Sequence, residues 1–164
     1  MTASGTFDLS NEARNLHWLL STLVEEVPGA RSVAVVSSDG LLLLSSDPVT
    51  DANANINVTA TGRRPSPRGA GADLATVVAG IGSLTLGAAR LMDGGAVKQT
   101  MVAMAEGNVF VMSISDGSLL GVHTTPDCDM SVVAYHMGLF VGRAGHVLTP
   151  ELRSELRASM EGAQ

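Results

Sequence analysis

No charged side chain interrupts the chain between Asp73 and Arg90, the longest such run in the sequence, and this stretch carries a helix's repeat. Leu74, Val77, Val78, Ile81, Thr85, Ala88 and Met92 fall close to the i, i+3, i+4, i+7 spacing of one helical face. A second row, Ala75, Ala79, Ser83 and Gly87, is spaced by four and offers a ridge of small side chains to a closely approaching backbone. Gly80, Gly82 and Gly87 each cost a helix about 0.5–1 kcal/mol relative to alanine, so a helix over 73–92 must be held by packing. A membrane span wants roughly 20 apolar residues. The Thr, Ser and Gly in this run, and Asp73 and Arg90 at its ends, argue against direct membrane insertion. The helix is expected to pack on its own sheet and, through the small-residue row, to meet a partner.

With 164 residues, 45% hydrophobic and 16% charged, the chain fits one globular domain with a full core. Aromatic residues are only 3%, so Leu, Val, Met and Ala must fill that core, and stacking platforms for nucleic acid are scarce. The formal charge of −6 points the same way, against nucleic acid as a partner. Met1 to Phe7 lacks a basic segment followed by an apolar one, and Cys128 is the only cysteine, so no intrachain disulfide is possible. Cytoplasmic residence is the expectation.

Residues 1–9 read as a flexible N-terminal arm, 10–146 as the domain, and 147–164 as a tail with a short amphipathic helix. Ser10 or Asn11 can cap a first helix whose apolar face is Leu16, Leu19, Leu20, Leu23 and Val27, and Pro28-Gly29 stops it. Trp18 reads as a packing residue at the rim of that face. The β-branched run Ser32 to Ser37, the Asp39-Gly40 turn and Leu41 to Ser45 predict a hairpin. A polar insertion loop over 47–71 follows, longer than structureless loops in compact domains usually run. Its Asn57-Val58-Thr59 acceptor pattern lacks a secretory context, and its Arg63 to Arg68 segment, with Ser66, reads as a solvated stretch or a kinase target.

After the helix over 73–92, Asp93-Gly94-Gly95 ends the element, and Lys98 to Met104, Val109 to Ile114 and Leu119 to Thr124 predict three strands. Phe110, Met112 and Ile114 fall on one face of the middle one. Asp127 or Asp129 can cap a last long helix through Met130, Val133, Met137, Val141 and Ala144. Thr149-Pro150-Glu151 restarts an amphipathic segment carrying Leu152 and Leu156. The fold class is mixed α/β (α+β): a five-stranded, mainly antiparallel sheet with helices on both faces, in the order α-β-β-α-β-β-β-α.

Chemistry is sparse. No phosphate-cradling Gly-x-x-x-x-Gly-Lys-Ser/Thr is present, and Gly80-Ile81-Gly82 lies inside a helix. Cys128 with His123 and His136 is the only grouping that resembles a nucleophile with bases, and it reads better as a small apolar residue in a capping turn. The same residues lack paired metal ligands. His17 and His146 read as isolated surface residues. Glu25-Glu26 and Glu151 with Glu155 read as exposed helix carboxylates. The expectation is no enzyme, no cofactor, no metal and no catalytic residue.

The element order resembles that of the roadblock/LC7 family, most tellingly through Gly80-Ile81-Gly82-Ser83-Leu84, Val97 to Val102, and Val109 to Ser118. Val133-Ala134-Tyr135-His136-Met137 and Leu148 to Arg153 resemble its bacterial branch, found beside a small Ras-like GTPase and a sensor-kinase-like protein. The resemblance implies a homodimer in which the strand Lys98 to Met104 pairs with its copy and the small-residue helix packs near its twin. That pairing would remove an aggregation-prone edge. It places Ala75, Ala79, Ser83, Gly87, Gln99 and Met101 at the dimer or partner interface. It further implies a signalling adaptor that binds a small Ras-like GTPase and modulates its nucleotide cycle by reorganising the GTPase, with Arg90 the one candidate for an inserted arginine. The alternative is a structural scaffold for a kinase-like or membrane-associated partner that leaves nucleotide turnover unaffected.

Overall fold

The computed structural model describes residues 9–46, 70–115 and 117–162; nearly all of the expected arm and of the expected insertion loop, Ser66 included, lies outside them. In chain order the elements are α1 (Asn11–Glu26), β1 (Ala30–Val36), β2 (Leu42–Ser45), α2 (Ala70–Leu91), β3 (Gln99–Met104), β4 (Gly107–Ser113), β5 (Leu119–Thr124), α3 (Met130–Val147) and α4 (Pro150–Gly162). The strands form one five-stranded sheet in the order β2-β1-β5-β4-β3, and every neighbouring pair is antiparallel. β3 and β2 are therefore the two edges.

Alternation along the central strands divides the core into two layers. Val33, Val35, Phe110, Leu120 and Val122 point to one face, where α1, α3 and α4 cover them with Leu16, Leu20, Leu23, Met137, Phe140, Leu152 and Leu156. Ala34, Val36, Val109 and Val111 point to the other face, where α2 lays Leu74, Ala75 and Val78 on them. The tail thus packs as α4, with Leu152 and Leu156 buried in the same core as α1. Glu155, read from sequence as an exposed carboxylate, instead accepts the Ser10 backbone N–H at 2.6 Å and joins α4 to the start of α1.

Caps fall where short polar side chains precede the apolar repeats. The Ser10 hydroxyl accepts the Ala13 N–H at 3.2 Å. Asp129, rather than Asp127, starts α3, its carboxylate accepting the Ser131 and Val132 N–H groups at 2.9 and 3.3 Å. Asp129→Ala is expected to cost about 1 kcal/mol, read as a lower midpoint in chemical denaturation with an unchanged slope. At the end of α2, Asp93 takes φ 51°. Its N–H reaches Arg90 O at 3.4 Å and that of Gly94 reaches Ala89 O at 2.8 Å, a Schellman closure that uses up carbonyls left free by the last turn.

The β1–β2 hairpin tip ties the two layers together. Gly40 has φ +86°, which the turn requires, and a β-carbon on it would stand 3.4 Å from Ala79 of α2. On the other side Asp39 Oδ2 meets Arg157 Nη2 of α4 at 3.5 Å. The Ser37 hydroxyl donates to the Asp39 carboxylate and, with that arginine, holds its pKa below the ordinary 3.8. Because the folded value is the lower one, this stabilisation is complete above about pH 3.8 and is lost as pH falls through the folded value. Asp39→Asn is expected to flatten that part of the acid-unfolding curve while leaving the neutral-pH slope with denaturant unchanged.

Candidate functional site

The described residues hold no group of three or more His, Cys, Asp or Glu able to bind a metal ion. Cys128 is half-buried, its sulfur 3.1 Å from Thr124 Oγ1 and 3.5 Å from Asn108 Nδ2. His136 turns instead to Glu26, with Nδ1 3.2 Å from Oε2, and pins α3 to the end of α1. His17 is not the isolated surface residue the sequence suggests: it is half-buried, and desolvation pushes its pKa down. Trp18 is 61% exposed and points away from the α1 core face.

The exposed apolar surface lies on β3 and α2. All of β3 except half-buried Thr100 is exposed, including Met101, Val102 and Met104. Residues directly opposite one another on antiparallel neighbours share a face. Met101 lies opposite Phe110, and Gln99 opposite Met112, so these two belong to the α1 face with Ala103. Thr100, Val102 and Met104, paired with Val111, Val109 and Gly107, belong to the α2 face. The free side of β3 carries a row of backbone donors and acceptors with no strand beside it among the described residues.

On α2 the four-residue row does not stay on one surface. At 3.6 residues per turn, each step of four overshoots a full turn by about 40°. The row therefore spirals from Ala75, 3% exposed under the helix, through half-buried Ala79 beside Gly40, to exposed Ser83 and half-buried Gly87. Ala75 is spent on the chain's own sheet. Gln99 and Met101 lie on the opposite sheet face from this row, so the six residues expected together are split into separate groups.

What stays together on α2 is a row spaced by seven. Val77, Leu84 and Leu91 are 48%, 75% and 90% exposed. A step of seven falls only about 20° short of two turns, so these side chains keep one line along the helix. Gly80 and Gly87, also seven apart, alternate with them, and a β-carbon on either would meet nothing within 4 Å. Large and absent side chains thus alternate as in a helix–helix seam built for close approach. Val77, Ala88 and Met92, assigned from sequence to the buried face, are exposed, because the sheet takes only a narrow strip: Leu74, Ala75, Val78 and part of Ile81. Heptad counting on the helix and strict alternation on β3 would have found this surface.

By length and composition Asp73–Leu91 could cross a membrane, and it is the one such helix among the described residues. One side of it is occupied by the sheet. Arg90 sits exposed in its last turn.

Geometry defines a class before any comparison does: a small α+β domain with one antiparallel sheet, an open edge strand and a partly naked apolar helix on the same side. Residues 58–124 match the family model described as the Roadblock/LC7 domain. Among solved structures it is similar to a Roadblock/LC7 domain from Streptomyces avermitilis, with 27% identity over 81% of this chain and 98% of that one, and a TM-score of 0.62. It is also similar in fold to the gliding protein MglB from Thermus thermophilus, at 16% identity, 84% and 91% coverage and a TM-score of 0.65. A third similar structure is Myxococcus xanthus MglB, at 15% identity, 81% and 94% coverage and a TM-score of 0.63. Among curated proteins, none matches this chain.

Proposed function

We propose that this protein is a non-enzymatic signalling adaptor that homodimerises through β3 and the Val77–Leu84–Leu91 side of α2, and that the dimer binds a small Ras-like GTPase and modulates its nucleotide cycle. The observation that carries the dimer is the β3 edge: unpaired backbone bordered on both sheet faces by exposed apolar side chains, Met101 on one and Val102 and Met104 on the other. A second copy of β3 supplies both the missing hydrogen bonds and the apolar cover, and a two-fold axis makes the contact self-complementary. The seam on α2 supports the same arrangement, since Gly80 and Gly87 let a second helix come close.

The GTPase reading rests on the family and on the likeness to the bacterial branch that accompanies a Ras-like GTPase. One structure similar in fold is MglB with a tetrameric arrangement, a self-associated relative that is in keeping with this reading. The effect on the GTPase is taken to be conformational, a reorganisation of the GTPase by the docked dimer, and Arg90→Ala is then expected to leave any GTPase stimulation unchanged.

Two measurements test this. Sedimentation at micromolar concentration is expected to give twice the 16.8 kDa chain mass, and a monomer alone would overturn the paired-edge arrangement. Affinity capture from native lysate, run in parallel with GDP and with a slowly hydrolysed GTP analogue, is expected to retain a small GTPase in a nucleotide-dependent way. Capture of a kinase-like protein alone would replace the regulator with a scaffold.

A further inference from the structure

Four exposed methionines stand out in the described chain: Met92, Met101, Met104 and Met130, at 80%, 41%, 47% and 53%. Met130 opens α3, away from the sheet edge. Met101 on one face of β3 and Met104 on the other belong to the surface assigned above to a second copy, and Met92 stands exposed just past the end of α2. Resting on that dimer reading, we propose that Met101 and Met104, with Met92, are a redox modification site whose oxidation by a hydroperoxide-class oxidant to methionine sulfoxide releases the dimer.

The step balances within the two reactants. The thioether sulfur gives two electrons, the peroxide O–O bond breaks, one oxygen becomes the S=O oxygen, and the other leaves as water or an alcohol. Three features of this surface fit that chemistry. The edge strand carries two exposed thioethers, Met101 opposite Phe110 on one sheet face and Met104 opposite Gly107 on the other. A thioether is apolar and packs readily, whereas its sulfoxide is a strong acceptor that brings no donor of its own. Pairing along β3 buries sulfurs on both sheet faces, so one oxidised side chain on either face leaves an unsatisfied polar group in the contact.

Coupling runs in both directions. The monomer exposes Met101 and Met104 and the dimer covers them, so the monomer is oxidised first and then re-pairs more weakly. Cys128, the one thiol of the chain, is half-buried against Thr124 and Asn108.

The test treats the full chain with hydrogen peroxide, maps each +16 Da product by peptide mass spectrometry, and measures dimer dissociation by sedimentation across dilution before and after. The added mass is that of one oxygen, about 16 Da. The expected result is conversion of Met101 and Met104 in dilute protein and roughly tenfold or weaker dimerisation for each buried sulfoxide. A Met92→Leu, Met101→Leu, Met104→Leu variant is expected to dimerise as the reduced protein does and to keep doing so after peroxide. Full conversion with unchanged dimerisation overturns the proposal, and so does equal peroxide sensitivity in the leucine variant. Persistent thioethers at Met101 and Met104 in dilute protein, while Met130 is fully oxidised, overturn it as well. A reduced protein that is monomeric throughout instead overturns the dimer reading, and the switch falls with it.

Discussion

Gly121→Val is expected to lift α2 from the sheet and to cost about 3 kcal/mol or more, at the upper end of what overpacking does in a core. Gly121 lies in β5 at the centre of the sheet, between Ala34 of β1 and Val111 of β4. A single β-carbon there would stand 2.1 Å from Val78 Cγ2 and 3.3 Å from Val78 Cβ, before the two methyls of valine are counted. Val78 is wholly buried and cannot swing out, so the helix itself must move. Gly82 makes the reciprocal allowance on α2, where a β-carbon would come within 2.4 Å of Leu119 Cδ1. The two glycines let helix and strand approach more closely than side chains permit elsewhere, which compensates for the weak propensity of a glycine-bearing helix. Chemical denaturation reads the loss. Gly138→Ala in α3, where an added carbon meets nothing, is expected to stabilise by about 0.5–1 kcal/mol, so the contrast isolates the close approach from propensity.

These glycines show what sequence could and could not supply. Element order, antiparallel pairing and the two-sided helix cover were all legible, because Asp39-Gly40, Asp93-Gly94 and the alternation through Val109 to Ile114 are local signals with local causes. Where β4 starts was not. Sequence starts that strand at Val109, yet Gly107 already pairs with Met104, and Arg31 Nη1 binds Glu106 O at 2.8 Å from across the sheet. A β-carbon on Gly107 would sit 2.6 Å from Thr124 O, so that glycine serves a tertiary approach that reads locally as a turn. Likewise Glu155 reads as a solvated carboxylate until α4 brings it to Ser10, 145 positions away.

The candidate surface was legible in its elements and misread in its facing. An apolar helix repeat fixes that a helix is amphipathic; it does not say how wide a strip the sheet will take. Here the strip is narrow, so Val77 and Met92 fall outside it while Ala75 falls inside. The four-residue spacing of the small row invited the idea of a straight ridge, and helical geometry turns such a row into a spiral.

Leu84→Asp is therefore expected to be the most damaging single change for assembly and nearly silent for the fold. Leu84 is 75% exposed in the isolated chain, so the substitution leaves folding within about 0.5 kcal/mol, as exposed positions usually do. In the dimer the same carboxylate would enter the apolar seam between Val77 and Leu91, at about 3 kcal/mol, or a hundredfold and more in dissociation constant. Sedimentation across dilution measures this directly. Ala79→Asp separates the two readings of α2. Ala79 is half-buried against the hairpin, within contact distance of a carbon placed on Gly40. A charge there is expected to lower stability while leaving the dissociation constant of the folded chain unchanged. If Ala79→Asp dissociates the dimer and Leu84→Asp does not, the small-residue row is the contact and the seven-residue seam is solvent-facing. If both variants stay dimeric, α2 lies outside the interface and β3 alone must carry it.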